Sequence, residues 1–486
     1  MSKKVAIVGA GVGGLATAAR LAQRGYQVQV FEKLAACGGR CHLLEDKGFK
    51  FDMGPSFVLM PDFFEEVFQD CKENIKDYLN LVSIDPSYKL WYPDGETFTA
   101  YRDSEQTKAE LERIEKGAAL KFESFIAETR RLYNEVRPLL YNCFTPQHAL
   151  NPRYWSLIGK IRAFDSYWNL ARKFFRSEKL CYAFTFEAMF MGVSPFNAPA
   201  FYSIISYADH VQKIFHPLGG MYQIPLALKR MAMKFGARFQ FNAQVQRITE
   251  RKGHLQVRVE NADHVFEQVV VNADYAYAQA DILERTIPNF KYSCSVFLIY
   301  LGLNQKLKGL AHHNLFFAKD LRNNLSQIFK TGAIPADPSF YVHVPTITDP
   351  SLAPEGKEIV YILIPVANLQ GSREDVRCAQ ERLRSHVFEK IKQATGVALD
   401  GSIEVEHRFY PDDFVDRYNI RHGATFGLAH NLMQSAFFRP PNLDREIKNL
   451  FFVGASTQPG GGLPVVIASS RIVADLIQKD RRINAF

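Results

Sequence analysis

Residues 4 to 14, K-V-A-I-V-G-A-G-V-G-G, constrain the fold of this chain more than any other stretch. Lys4 to Val8 is a short run rich in β-branched residues, as a buried strand requires. Leu15 to Gln23 then carries apolar residues at helical spacing, with Gly25 as its stop. Between them stand Gly9, Ala10, Gly11, Val12, Gly13 and Gly14. Gly9 permits the tight turn, Gly11 lets backbone approach a pyrophosphate, and Gly14 brings the helix close to the sheet. The phosphates would rest on the N–H groups and positive dipole end of the helix N-terminus. A second strand, Gln27 to Phe31, ends at Glu32, followed by Lys33. A carboxylate at that distance accepts hydrogen bonds from both ribose hydroxyls and repels a 2′-phosphate. These features predict a Rossmann-like dinucleotide-binding unit, with FAD and NAD both open at this point.

Gly38-Gly39-Arg40 follows, then a hairpin-like stretch from Cys41 to Phe51, then Asp52-Met53-Gly54-Pro55-Ser56; simple NAD enzymes lack this extension. Three strand-like runs, Phe239 to Ile248, His254 to Val259 and His264 to Val271, predict a small β-meander ending in Val271-Asn272-Ala273-Asp274. At the far end, Asn449 to Gly454 predicts a buried strand. The string A-S-T-Q-P-G-G-G-L-P, Ala455 to Pro464, then leads into an amphipathic helix from Val465 to about Lys479, and Pro464 suits a helix's first turn.

Together these segments resemble the flavin superfamily of amine oxidases, protoporphyrinogen oxidases and carotenoid desaturases. Over nearly its whole length the chain is similar to bacterial phytoene and diapophytoene desaturases. Further matching segments are Ala200 to Ser206, Gly219-Gly220-Met221-Tyr222 and Tyr292 to Gly302. The resemblance implies FAD as cofactor, with Gly39 and Arg40 along the pyrophosphate and Pro55 and Ser56 near the flavin ring. It also implies a backbone contact from Val245 to the adenine and an adenosine pocket closed by Asp274. Gly454, Ala455, Leu463, Pro464 and Val465 would lie at the flavin, where a helix N-terminus favours the negative charge that develops on accepting hydride. Ala455 stands where the broader superfamily often carries Asp or Glu to bind ribitol, which argues for the desaturase branch. Tyr292 to Ser295 and Gly454 to Thr457 lean towards diapophytoene rather than phytoene enzymes.

The expected fold class is therefore α/β: a Rossmann-like FAD-binding domain, a mixed α+β substrate domain and a helical membrane-facing region. Residues 1–65, 230–290 and 440–486 are expected to form the discontinuous FAD domain, and 66–229 with 291–439 the substrate domain. A chain of 486 residues suits two such interleaved domains. No secretory leader precedes the first strand, which implies the cytoplasm. The seven cysteines are scattered and form no C-x-x-C, so neither a disulfide framework nor a zinc site is expected. A net charge of +8 without a basic repeat or recognition-helix pattern excludes nucleic acid as partner. The longest apolar runs, such as Ile359 to Ala367, are too short to span a bilayer and predict buried strands.

Residues 141–185 contain eleven aromatics and seven Lys or Arg against two acids, Asp165 and Glu178. That mixture suits a bilayer interface, and a hydrocarbon substrate needs such a delivery route. Peripheral association with the inner membrane face, a long isoprenoid substrate and quinone or oxygen as electron acceptor are the partners the resemblance implies. It also implies a reaction in which one hydrogen leaves as hydride to flavin and the neighbouring carbon loses a proton. No His/Asp or paired-carboxylate spacing identifies a base, so no catalytic residue is named. His312 and His313 are expected on opposite faces of a strand, without a metal. No G-x-S-x-G elbow or phosphate loop with its lysine is present, against hydrolase or triphosphatase chemistry. A carotenoid terminal-methyl oxidase, another amine oxidase-type enzyme and a flavin-free prenyl escort protein are the alternatives.

Overall fold

A computed structural model describes residues 3–145, 148 and 151–483. The opening strand Lys4–Val8 lies at the centre of a five-stranded parallel sheet, between Gln27–Phe31 and Gln268–Val271. Arg238–Gln240 extends the sheet beyond Gln27–Phe31, and Leu450–Phe452 extends it beyond Gln268–Val271. Four of the strand's five residues are buried, because helices cover both faces of a parallel sheet and leave no place for alternation. Val12–Gln23 packs against both Gln223–Lys234 and the C-terminal helix Leu463–Ile483. Segments from the two ends of the chain thus share one core.

The predicted meander differs in its connections. The first run splits: Arg238–Gln240 joins the parallel sheet, and only Val245–Arg251 pairs with His254–Val259. Asn242, at φ +53°, turns the chain between them. The third run splits too, since Ala262–Phe266 closes the three-stranded meander and Gln268–Val271 crosses into the main sheet after one intervening residue. The bounds expected at 65 and 230 fall inside the helices Pro61–Asp70 and Gln223–Lys234, both of which pack against this layer.

A second sheet has seven strands, in the order Ile403–Phe409, Ser295–Leu303, Glu358–Val366, Phe340–His343, His313–Phe316, Tyr88–Trp91 and Thr97–Ala100. Ser295–Leu303 and Glu358–Val366 are adjacent interior strands, second and third in that order, as their long apolar runs require. Side-chain parity divides the sheet. Phe297, Ile299 and Leu301 pack with Val376–Thr395, whereas Val296 and Leu298 point to the opposite face and line a cavity. Short helices from Tyr167 to Tyr207 cover that cavity.

Within 141–185 the aromatics divide. Tyr167, Trp168, Phe175 and Phe184 are core, whereas Trp155 is 64% and Phe164 81% exposed. Residues 146, 147, 149 and 150 and the Arg153 side chain lie outside the described residues. Among the described residues no helix is long and apolar enough to cross a membrane, and all seven cysteines are free thiols.

Candidate functional site

One cavity of about 500 Å3 runs from the Gly9 to Gly14 loop to the seven-stranded sheet. Of the residues singled out from sequence, Gly9, Gly11, Gly13, Glu32, Lys33, Gly39, Arg40, Pro55, Ser56, Val245, Asp274, Gly454, Ala455, Leu463, Pro464 and Val465 all line it. Ala10 and Gly14 stand behind that wall. The Ala10 N–H donates to Glu32 Oε2 at 2.6 Å. A Cβ on Gly14 would lie 2.2 Å from the Gly9 carbonyl oxygen, so the helix can approach the loop only with glycine there.

Glu32 is 6% exposed, and besides Ala10 its carboxylate accepts from the Leu34 N–H at 2.9 Å. Burial pushes its pKa up, while those backbone donors and Lys33 pull it back. Each carboxylate oxygen retains a lone pair that can face a ribose hydroxyl. Lys33, on the cavity wall, also fastens a neighbouring loop: its ammonium donates to the Asp416 carbonyl and, at 2.7 Å, to Asn419 Oδ1. Arg40 is half-buried on the cavity and donates through Nη1 to the Thr425 carbonyl at 2.7 Å. Desolvation lowers its pKa and Asp274 offsets part of that, so the site favours an anion beside it.

At the opposite wall, Gly454 has φ +127°, and a Cβ there would sit 2.9 Å from Asn272 Nδ2. Asn272 donates from its backbone N–H to Val8 and from Nδ2 to the Val453 carbonyl at 2.9 Å, tying together three strand ends. Ser456 Oγ donates to Asp274 at 2.7 Å. Arg439, 1% exposed, holds the C-terminal loop by donating to the carbonyls of Thr457, Gln434 and Ala455. His430 Nε2 accepts from the Gly461 N–H at 2.8 Å. Sequence reasoning missed Asn272, Arg439 and His430. Only Asn272 carried a signal, its place directly before the Ala-Asp turn.

Polar atoms give way to apolar ones along the cavity. Phe57, Leu59, Phe186, Met189, Phe190, Ile205, Leu315 and Phe317 line the half remote from the loop. The two halves together fit a flavin dinucleotide and a hydrocarbon in contact with it. The glycines leave room a Cβ would fill, Glu32 and Arg40 offer an acceptor and a cation, and the start of Leu463–Ile483 presents N–H groups without intrahelical partners.

His312 and His313 do not diverge. The strand begins only at His313, so alternation does not govern His312, and their ring centroids lie 4.4 Å apart. His343 joins them, with its Nε2 2.9 Å from His312 Nε2. That separation is within the range of an N–H···N hydrogen bond.

A model of the family described as flavin containing amine oxidoreductase matches residues 12–478. The chain is 40% identical over 484 residues to a zeta-carotene-forming phytoene desaturase of Myxococcus xanthus, covering 97% of this chain and 93% of that protein. It is 33% identical to a 4,4'-diaponeurosporene-forming 4,4'-diapophytoene desaturase of Staphylococcus haemolyticus, covering 98% and 99%. Among solved structures, an oxidoreductase from Methanosarcina mazei superposes with a TM-score of 0.67 at 17% identity, over 97% of this chain and 100% of that one. Wild-type putrescine oxidase bound to putrescine gives 0.62 at 14%, over 99% of each chain. The chain belongs to the flavin containing amine oxidoreductase family and, within it, stands with the phytoene and diapophytoene desaturases.

Proposed function

We propose that this protein is an FAD-dependent desaturase that introduces conjugated double bonds into an acyclic carotenoid precursor, phytoene or diapophytoene. The observation that carries the reading is the single cavity whose glycine-lined end passes without a partition into an apolar end. Bound FAD would supply the hydride acceptor. The chain's own residues do the remainder. Gly9, Gly11, Gly13 and Gly39 admit the pyrophosphate, Arg40 neutralises it, and Glu32 holds the adenosine ribose. Ala10 and Gly14 shape that loop from behind. Val245 and Asp274 enclose the adenosine, while Pro55 and Ser56 flank the ring. Gly454, Ala455, Leu463, Pro464 and Val465 place a helix N-terminus where negative charge develops. The phenyl and aliphatic side chains keep water from the allylic carbons, so the developing cation is quenched only by loss of a neighbouring proton.

Residues 1–65, 230–290 and 440–486 would serve the cofactor and 66–229 with 291–439 the substrate. Peripheral membrane contact, with quinone or oxygen taking the electrons, completes the reading. Its support is the exposed Trp155 and Phe164, and Tyr154 of the same helix as Trp155 packs on Phe437, beside the exposed Phe438. Sedimentation with anionic vesicles tests this: the double change Trp155→Ser, Phe164→Ser is expected to reduce the bound fraction several-fold. Equal binding would place the membrane face elsewhere.

Co-expression with a phytoene-making or a diapophytoene-making synthase tests the activity. Pigment whose absorption bands shift to longer wavelength is expected with one of them. Colourless product with both would overturn the desaturase reading.

A further inference from the structure

His313 and His343 face one another across the antiparallel pair of His313–Phe316 and Phe340–His343, and the His312 ring stands beside both. Directly opposed residues of such a pair carry Cβ atoms about 4.5–5.5 Å apart, close enough for two imidazoles to share one ion. One ring nitrogen of each histidine lies within 4.8 Å of those of the other two, and none of the three is more than 3% exposed.

Two of the rings are fixed by their inner nitrogens. His312 Nδ1 lies 2.6 Å from Thr348 Oγ1, and His313 Nδ1 lies 2.6 Å from the Tyr341 hydroxyl. Tyr341 has one proton and donates it to Ser56 Oγ at 2.8 Å, so it accepts from the Nδ1 N–H of His313. His313 Nε2 is then a bare lone pair, and it has no hydrogen-bond partner. Metal-binding imidazoles are held in this way, one nitrogen fixed by an outer hydrogen bond and the other left for the ion. Burial first, and the neighbouring imidazoles after it, hold all three well below the ordinary histidine range, so each is neutral at pH 7 and offers a lone pair.

A fourth imidazole adjoins them. His216 is fully buried, its ring centroid is 5.2 Å from that of His312, and neither of its nitrogens has a hydrogen-bond partner. An imidazole carries an N–H on at least one nitrogen, so hydrogen bonding alone leaves a buried donor unmet here, at a cost of about 1–3 kcal/mol. Asp349 Oδ2 stands 3.5 Å from His216 Nε2, and this carboxylate also accepts from the Gly219 N–H and from Ser351 Oγ, each at 2.6 Å. It places an anion behind the cluster, where it offsets part of a dication's charge.

We infer that His312, His313 and His343 bind one divalent transition-metal ion, zinc first among them, with His216 and Asp349 completing its surroundings. Imidazole donors suit zinc, and do not suit magnesium or calcium. His312 Nε2 and His343 Nε2 are 2.9 Å apart, whereas two nitrogens on one tetrahedral zinc stand about 3.3 Å apart, so rotations of a few tenths of an ångström open the gap. The ring that carries its proton on Nε2 passes to its other tautomer as the ion enters. None of the three histidines lines the large cavity, but Tyr341, bonded to His313, does. The ion is therefore structural: it ties two strands together behind the chamber wall and takes no part in the reaction. His343 comes from the neighbouring strand, so no spacing in the sequence announces the site. The inference is independent of the desaturase reading.

Titration of chelator-stripped protein with zinc alone, against a chromophoric competitor, is expected to show one ion per chain. His313→Gln and His343→Gln are each expected to weaken it about 100-fold or more. The control His254→Gln changes an exposed histidine elsewhere and is expected to leave it as it was. X-ray absorption by the zinc-loaded unmodified protein is expected to show nitrogen at about 2.0–2.1 Å with outer scattering from at least three imidazoles. An unmodified protein that takes up no zinc overturns the inference, as does zinc held equally well by both variants. A spectrum with fewer than three imidazoles overturns it too, and decides the matter if the variants lose their fold. None of these results bears on the desaturase reading, which the co-expression tests separately.

Discussion

At Glu32 one carboxylate does two jobs. It fastens its own loop through the N–H groups of Ala10 and Leu34, and it faces the cavity where a ribose would lie. Glu32→Ala removes hydrogen bonds to a charged group, each worth about 1.5–3 kcal/mol, and affinity for FAD is expected to fall ten- to a hundred-fold or more. Titration of FAD into the cofactor-stripped protein reads this directly, and unchanged affinity would mean that the ribose is held elsewhere. Asp52 carries a pH prediction. Its carboxylate accepts from the N–H groups of Met221 and Tyr222, and burial pushes its pKa up to about 6 from an ordinary 3.8. Between those values the folded protein binds more protons than the unfolded chain, so this group's stabilisation falls as pH rises from about 3.8 to about 6. Asp52→Asn is therefore expected to remove part of the decline in urea midpoint between pH 4 and pH 7. An undiminished decline would assign it to other groups. The neighbouring Gly220, at φ +91°, is glycine for the same reason, since a Cβ would lie 2.9 Å from Asp52 Oδ2.

At the scale of elements, legibility follows how local the cause is. The strand Lys4–Val8, the glycine turn and the helix after it are set by neighbours in sequence, and they fold where their residues place them. The helix at 463–483 begins two residues before the expected Val465, because Leu463 and Pro464 already take helical backbone. The meander was legible as strands but not as partners. Neither glycine nor proline stands among Phe266, Glu267 and Gln268, and nothing local tells a chain to leave one sheet for another there. His430 and Arg439 were invisible for a related reason: their partners are backbone groups, the Met191 carbonyl and the Gly461 N–H for His430 and three carbonyls for Arg439, which no side-chain pattern reveals. Arg439 shows the consequence. Burial lowers its pKa to about 10, yet it stays charged at neutral pH and binds the Ala455 and Thr457 carbonyls of the C-terminal loop and the Gln434 carbonyl. Arg439→Met fills similar volume without donors and is expected to cost about 3 kcal/mol or more and to shed FAD, read as a lower urea midpoint and a lost flavin spectrum. A variant that keeps both would show that the loop holds itself.

For the whole molecule, the cavity is where distant parts of the chain depend on one another. Residues 9–14, 32–40, 272–274 and 454–466 all contribute to its polar end, and helices from the two ends of the sequence, Val12–Gln23 and Leu463–Ile483, pack together beside it. A ligand that binds only this assembled arrangement stabilises all of its parts, by about 2.7 kcal/mol at a concentration one hundred times its dissociation constant. The outer strands Tyr88–Trp91 and Thr97–Ala100, at the far edge of the seven-stranded sheet, supply none of the cavity wall. Hydrogen exchange with and without FAD should therefore be uneven. Amides of Gly11 to Leu15, Asn272 to Asp274 and Gly454 to Val466 are expected to slow together when FAD is added, and those of 88–100 to change least. Protection confined to the N-terminal loop would mean that the C-terminal helix does not close on the cofactor, and the shared site would have to be abandoned.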